Sequence, residues 1–308
     1  HPDRQPPPPG SDHEPAAWAG AAAAGAAAQL ITCGGGGAYL AATHTLPESI
    51  AVPPEKSLMR EARPRKHYQL RARYPSAEQS RRYSWGVFYR LPWRNSGFGT
   101  LLAVLHTLLL AAYVSADESA SVPWFTVPAL GMSAVVLASC LGFSTVDRKG
   151  PLRPRQLILG AVHGLAHLGL GLGGAWLWHW THVDTLPTLF QLLIAVVIYA
   201  PLAGVAGSLL VCGYLLVAHR FGVNVNELFA GQGIEDSKCF LRLRIGQDGS
   251  LTVYPVALDQ VCRHWRAAPH DAVNAPWIAP EQPLRPRLSE PPVTVASAIV
   301  QETPVAQS

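Results

Sequence analysis

Gly97–Val114 (GFGTLLAVLHTLLLAAYV), Val122–Phe143 (VPWFTVPALGMSAVVLASCLGF), Gln156–Trp178 (QLILGAVHGLAHLGLGLGGAWLW) and Leu189–Ala218 (LFQLLIAVVIYAPLAGVAGSLLVCGYLLVA) contain no Asp, Glu, Lys or Arg. The hydrocarbon core of a bilayer is about 30 Å thick and takes about 20 apolar helical residues to cross. Each run meets or approaches that length, so residues 97–220 are read as a four-helix transmembrane block and the chain as a mainly α membrane protein. The fourth run is longer than one crossing needs, since roughly 30 residues of helix reach about 45 Å. Pro201, Gly204 and Gly207 sit in its middle, which predicts a tilted or kinked single helix, with a re-entrant pair of half-helices as the other option. Gly204-Val205-Ala206-Gly207-Ser208 puts small residues at helical spacing, where a neighbouring helix can come close.

The remaining composition agrees with this reading. Of 308 residues 49% are hydrophobic and 14% charged, against about 25% charged in ordinary soluble domains. The net charge of +4 is small, but its distribution is informative. Between the runs, Ser115–Ser121 has Asp117 and Glu118 and no Lys or Arg, Ser144–Arg155 has Arg148, Lys149, Arg153 and Arg155, and Thr181–Pro187 again has no Lys or Arg. His219 and Arg220 follow the last run, and a strongly basic stretch precedes the first. By the positive-inside rule both termini and the middle loop are expected to be cytoplasmic. Cys33, Cys140, Cys212, Cys239 and Cys262 form no CxxC pair, so neither a disulfide framework nor a zinc knuckle is expected. The chain opens with His1, and Ala21–Ala28 is too short and lacks the basic flank of a signal peptide. The expectation is the back part of a longer protein.

Outward from the block, Arg60–Arg94 mixes basic residues with Tyr68, Tyr74, Tyr83, Trp85, Phe88, Tyr89 and Trp93. Such a mixture can bind nucleic acid. Here it abuts a membrane span, where Trp and Tyr settle at the interface and Arg meets anionic headgroups. Arg81, Arg82, Trp85, Trp93 and Arg94 are therefore read as membrane-surface residues, with lipid and not nucleic acid as partner. Residues 1–28, rich in Pro, Ala and Gly, cannot bury a core and are expected to be a flexible insertion. Gln29–Cys33 is a short strand candidate running into Gly34, Gly35, Gly36 and Gly37, then Thr43-His44. The glycine run is either a flexible turn or a loop lining a substrate site, with His44 nearby. Past Arg220, Lys238–Ile245 alternates, Gly246-Gln247-Asp248-Gly249 signals a turn and Leu251–Tyr254 resumes the strand, which predicts a small β-hairpin domain over 221–266. Residues 267–308 are expected to be a disordered tail.

His106, His163, His167 and His179 lie in or near the apolar runs, and His163 and His167 share one helix face. Two such imidazoles could ligate a metal or haem iron or relay protons. With no carboxylate or thiolate partner evident in the spans, hydrogen bonds to neighbouring helices are the preferred reading. The corresponding functional option is a non-enzymatic membrane scaffold or sensor whose histidine-bearing bundle binds metal, haem or a small ligand. Asp117, Glu118, Asp147 and Asp184 fall between spans and read as solvated residues. Walker, GxSxG, HExxH and dinucleotide motifs are absent from the sequence.

Several segments occur in an order that resembles one family. They are Leu30-Ile31-Thr32-Cys33-Gly34-Gly35-Gly36-Gly37-Ala38-Tyr39-Leu40 with Thr43-His44, Tyr74-Pro75-Ser76 with Ser80-Arg81-Arg82, and Leu91-Pro92-Trp93-Arg94-Asn95. Asn226-Glu227-Leu228-Phe229, Ile234–Arg242 and Leu251–Pro255 continue the series. Together they resemble the C-terminal part of membrane-anchored bacterial metallophosphoesterases of the calcineurin-like superfamily. The resemblance implies an upstream α/β sandwich that hydrolyses phosphate esters with two divalent metal ions activating a water. The family's D-x-H, GDxxD, GNH and GHxH motifs are absent from these residues, so no metal ligand is expected within the chain and this part alone is expected to be inactive. It also implies that residues 1–57 are the end of the phosphoesterase domain, 58–96 a membrane-surface linker and 97–220 the anchor. His44 would support the catalytic centre or touch substrate, with Gly34–Gly37 as a substrate loop.

Overall fold

The computed structural model describes residues 29–34, 39–54, 65–119, 127–146, 151–268 and 277–296. The chain divides into two compact units, Gly37–Ser237 and a second made of His1–Gly36 with Lys238–Ser308.

In the Gly37–Ser237 unit, a 3-10 turn at Thr43–Thr45 leads into an antiparallel pair, β1 (Ser49–Val52) and β2 (Lys66–Gln69), with Ser49 opposite Gln69. Helix α1 (Ala77–Trp85) starts where the Ser76 hydroxyl accepts the Gln79 N–H, satisfying one of the free donors of a first turn. Helix α2 (Val87–Arg94) follows directly and ends at Asn95, whose side chain accepts the Phe98 N–H and opens the next helix. Together α1 and α2 are amphipathic. Val87 and Leu91 are buried against the bundle, while Trp85, Tyr89 and Trp93, four residues apart, stay 68%, 57% and 77% exposed. The expected membrane-surface linker is thus a packed helical pair with an aromatic stripe on its outer side.

Four helices among the described residues are long and apolar enough to cross a membrane: Ser96–Ala116, Val127–Thr145, Pro154–Trp180 and Thr188–Arg220. They are α3 (Ser96–Ser119), α4 (Val127–Thr145), α5 (Pro154–Trp180), and a composite of α6 (Thr188–Leu193), a π-helical turn Ile194–Tyr199 and α7 (Ala200–Arg220). Pro154 occupies the first turn of α5, where its missing N–H costs nothing, and the Gln156 side chain accepts the Arg153 N–H. The fourth span is one continuous helix and not a re-entrant pair. Its π turn has a local cause, because Pro201 lacks a donor and its ring crowds the carbonyl four residues back, so the preceding turn widens.

Side chains such as Leu101, Val104, Leu108, Ile158, Val162, Leu165, Val197 and Leu202 face outward, an apolar surface suited to lipid. Inside, two apolar clusters form. One joins Leu40, Val87, Leu91, Leu102, Val211, Leu215, Leu228 and Phe229, and the other joins Leu109, Tyr113, Ala129, Val136, Cys140, Ala175 and Trp178. Glycine sets the closest approaches. A Cβ on Gly204 would lie 2.8 Å from the Gly99 carbonyl oxygen and 2.9 Å from the Ala103 Cβ, so α7 touches α3 backbone to backbone. On α5, a Cβ at Gly164 would lie 3.2 Å from the Leu137 Cα and 3.5 Å from the Cys140 Cβ, which seats α5 on α4. After α7, the short α8 (Glu227–Ala230) buries Leu228 and Phe229 in the first cluster, so residues 221–237 belong to the bundle's unit and not to the hairpin.

The second unit is a small sheet. Strands β3 (Lys238–Ile245) and β4 (Leu251–Leu258) form the expected hairpin, with Ile245 opposite Leu251. Its turn is closed by Gly249 at φ +75° and by the Asp248 carboxylate, which accepts the Ser250 N–H and hydroxyl. The alternation predicted for β3 buries little, since Leu243 and Ile245 are exposed; β4 carries the buried face through Val253, Pro255 and Ala257. The tail expected to be disordered contributes structure over 277–296. Strand β5 (Trp265–Ala267) pairs with β6 (Ile278–Pro280), while β7 (Arg287–Leu288) and β8 (Val293–Val295) add to β4 on the side away from β3. Arg287 holds Asp259 through two hydrogen bonds of 2.7 and 2.9 Å, which fixes β7. Gln29–Cys33, read as a strand, forms none. Residues 1–28, Gly35–Gly37, Asp147 and 297–308 lie outside the described residues.

Candidate functional site

Two groups of histidines stand out in the bundle unit. The first lies where the 3-10 turn, α1, α7 and α8 meet. Thr43 Oγ1 donates to the Pro75 carbonyl at 2.7 Å, which places His44 between α1 and α7. There His44 Nδ1 bonds the Ser80 hydroxyl at 2.8 Å and His44 Nε2 bonds His219 Nε2 at 3.1 Å. Both rings sit 6.2 Å from the Phe229 ring. Ser80 is fully buried. Burial, then His219, then the Arg81 charge hold the His44 imidazole below its ordinary value and favour its neutral form.

A neutral ring carries one proton, so if His44 donates to His219 it accepts from Ser80, and if the proton sits on Nδ1 the direction reverses. Either way both nitrogens of His44 are engaged. As folded here His44 holds segments together and presents no ring nitrogen to a metal or to a substrate proton. Of the glycine loop only Gly34 is described, and a Cβ there would meet nothing within 4 Å, so close approach of the backbone does not explain it.

Alongside, Gln79 Nε2 donates to Ser237 Oγ at 3.2 Å and the Tyr83 hydroxyl meets the same oxygen at 2.8 Å. Arg94 donates to the Gly233 carbonyl at 2.7 Å. Arg90 lies over the Tyr83 and Tyr89 rings at 5.2 and 4.8 Å. Arg82 pairs with Glu78 on the same helix, and Trp85 and Trp93 remain exposed beside them. The end of the bundle that carries the residues expected at a membrane surface is therefore also the end where the segments flanking the four long helices are bound.

The second group lies within the spans. His106 Nε2 and His167 Nδ1 are 3.0 Å apart, and His167 Nε2 and His163 Nε2 are 3.1 Å apart, a chain running from α3 to α5. All three rings are buried, at 0%, 3% and 6% exposure. The Tyr214 ring of α7 stacks on His163 at 4.0 Å and 7°. Tyr214 donates to Asn224 Oδ1 at 2.6 Å, and Asn224 Nδ2 donates to the Phe143 carbonyl at 3.0 Å, which ties the stack to the end of α4. His163 and His167 do bond within the bundle, as preferred from the sequence, but their partners are each other and His106.

The expectation that no thiolate partner reaches them does not hold. Cys140 of α4, buried, offers its sulfur with one nitrogen each from His163 and His167, the three atoms within 4.8 Å of one another. Sequence reasoning missed Cys140, Ser80, His219 and Tyr214 as members of these groups, because periodicity assigns a face to a helix but does not say which neighbour that face meets. Asp184, read as a solvated residue, accepts from His179 Nδ1 at 3.0 Å, and that hydrogen bond draws its carboxyl below the usual range.

A helical bundle with four helices long and apolar enough to cross a membrane, an internal polar cluster and a small separate sheet define the class of this protein. Comparison with protein-family models, curated proteins and solved structures finds no match in any of the three.

Proposed function

We propose that this chain is the membrane-anchoring, C-terminal part of a metal-dependent phosphoesterase, set in a bacterial inner membrane with both ends cytoplasmic. The phosphate-ester substrate and the divalent metal ions then belong to a domain whose ligand motifs are absent from these 308 residues. One observation carries the reading. Of the segments that resemble the family, which run from Leu30 to Pro255, those between Leu40 and Ser237 come from distant parts of the chain yet pack into one layer at one end of the bundle, through Thr43 on Pro75, His44 on Ser80 and Phe229, and Tyr83 and Gln79 on Ser237.

Such a layer has a purpose in an anchored hydrolase. It would hold the last turns of the catalytic domain rigidly against the membrane and so fix its height and orientation. The alternation of basic and non-basic loops supports the cytoplasmic placement of that layer. In this arrangement His44 is a positioning residue and takes no part in bond making.

The test is hydrolysis of a generic phosphate mono- or diester by the protein extended with the residues encoded upstream, in detergent, with Mn2+ and with chelator. Metal-dependent turnover is expected from the extended protein and none from His1–Ser308 alone. Absence of turnover in the extended protein, or robust turnover by the shorter chain, refutes the reading.

A further inference from the structure

We propose that Cys140, His163 and His167 form an intramembrane site for one d10 transition-metal cation of the Zn2+ or Cu+ type, with His106 as the residue that orients His167. The inference stands apart from the phosphoesterase reading, because the site lies in the spans and uses none of the residues of the His44 layer.

The donor set comes first. A thiol with two imidazoles is the soft-to-borderline combination that suits Zn2+ and Cu+ and disfavours Mg2+ or Ca2+, which prefer oxygen. The spacing comes next. Two nitrogens bound tetrahedrally at about 2.0–2.1 Å from a metal lie about 3.3 Å apart, and His163 Nε2 and His167 Nε2 are already at 3.1 Å. The Cys140 sulfur, within 4.8 Å of the ligand atoms of both, closes the triangle after a shift of about 1 Å toward the Zn–S and Zn–N bond lengths. A cation takes the lone pairs of both Nε2 atoms, the proton they share moves by tautomerisation to a ring Nδ1, and the one proton released to solvent is that of the thiol.

Two further observations point to a ligand in place of a purely structural contact. Among the described residues, His106 Nδ1 and His163 Nδ1 are buried without a hydrogen-bond partner. Whichever way the protons run along the chain, one of its two ends is a donor without acceptor and the other an acceptor without donor. Each such buried group is destabilising, so a bundle selected only for stability gains nothing from this arrangement over apolar side chains of the same size. The surroundings are also those of a held ligand. His106 Nε2 can accept from His167 Nδ1–H, which fixes the tautomer that leaves Nε2 free to bind. The Tyr214 ring stacked at 4.0 Å fixes the plane of His163, and Gly164 lets α4 come close at Leu137, which brings Cys140 alongside α5.

The experiment uses the full chain in detergent, with Cys33, Cys239 and Cys262 replaced by Ser so that only Cys140 and Cys212 remain. After chelation the protein is titrated with Co2+ as a spectroscopic probe, then with Zn2+ and with Cu+ in competition. One Co2+ per chain with a thiolate-to-cobalt charge-transfer band is expected. C140S should abolish that band while C212S keeps it. H163Q and H167Q should each weaken binding by at least about 10-fold, and H106Q should weaken it by about 10–100-fold without removing the band. The competitor that displaces Co2+ at lower concentration identifies the native cation class. A spectrum unchanged by C140S, or no stoichiometric binding of any of the three ions, overturns the proposal. C140S is nearly isosteric, so it remains a fair test if a histidine variant fails to assemble.

Discussion

Replacing Gly204 with Ala tests the way the bundle is closed. The new Cβ would sit 2.8 Å from the Gly99 carbonyl oxygen, 2.9 Å from the Ala103 Cβ and 3.4 Å from the Ala103 Cα. These are α3 backbone and a side chain with no rotamer, so relief has to come from moving α7 away from α3. Gly213 on the same helix is the control, since a Cβ there meets nothing within 4 Å. In both variants the helix gains about 0.5–1 kcal/mol from Gly to Ala. In G204A alone, overpacking takes back about 1–3 kcal/mol. The expected outcome is a G213A protein at least as stable as the parent and a G204A protein less stable than G213A by about 1–3 kcal/mol. Unfolding in mixed detergent–SDS micelles, followed by helical circular dichroism, measures the difference. Equal stability of the two variants, or a G204A protein above G213A, refutes the claim that α3 and α7 meet at backbone distance.

At the His44 layer, burial, His219 and Arg81 hold the folded-state value of the imidazole below that of the unfolded chain. Unfolding therefore takes up protons, and the contribution of His44 is complete above the unfolded value near 6.5 and is lost as pH falls through the folded one. Thermal stability should drop from about pH 7.5 to about pH 5.5 and drop less in H44Q; parallel curves for the two proteins would count against the assignment. S80A leaves a His44 nitrogen without its 2.8 Å partner and should cost about 1 kcal/mol, read in the same thermal scan. In the outer stripe, single-tryptophan proteins retaining Trp85 or Trp93 should be quenched by labels at the lipid headgroups more than by labels at the bilayer centre; deep quenching would move α1 and α2 into the spans. In the hairpin turn, G249A forces a side chain into φ +75° and should destabilise the β3–β4 pair by about 1–2 kcal/mol. Faster amide exchange at Phe240 and Val256, which stand opposite each other in the two strands, would report it, and unchanged exchange there would count against the turn's role.

The spans were legible because lipid imposes a one-dimensional rule: a run without charge and long enough to cross needs no knowledge of its neighbours. The β3–β4 hairpin was legible for a related reason, since its turn residues and both strands are adjacent in sequence. What failed was of another kind. Strands β7 and β8 are two and three residues long and lie among prolines, so no local pattern distinguishes them from coil; they exist because β4 offers an open edge. Asp184 looked solvated because its partner His179 stands at the end of the preceding helix, and the turn that brings them together is not encoded by either residue alone.

The histidine chain marks the boundary between these cases. His106 and His167 are 61 residues apart, and nothing in either run says that α3 and α5 are neighbours. Yet the face each histidine occupies was open to reading. On α5 the buried positions are Gly160, His163, Gly164, His167, Gly171, Ala175 and Trp178, a stripe repeating every three or four residues. Glycine and alanine on a membrane helix mark the side where another helix comes close, so both histidines lie on a contact face and not toward lipid. On α7 the same logic picks out Gly204 and Gly207, and a Cβ on Gly207 would lie 3.1 Å from the His106 ring. Small residues therefore indicate which polar side chains in the spans are interior. Which of those interior groups meet is decided only by the packing of α3, α4, α5 and α7 together, and that is where Cys140 joins His163 and His167.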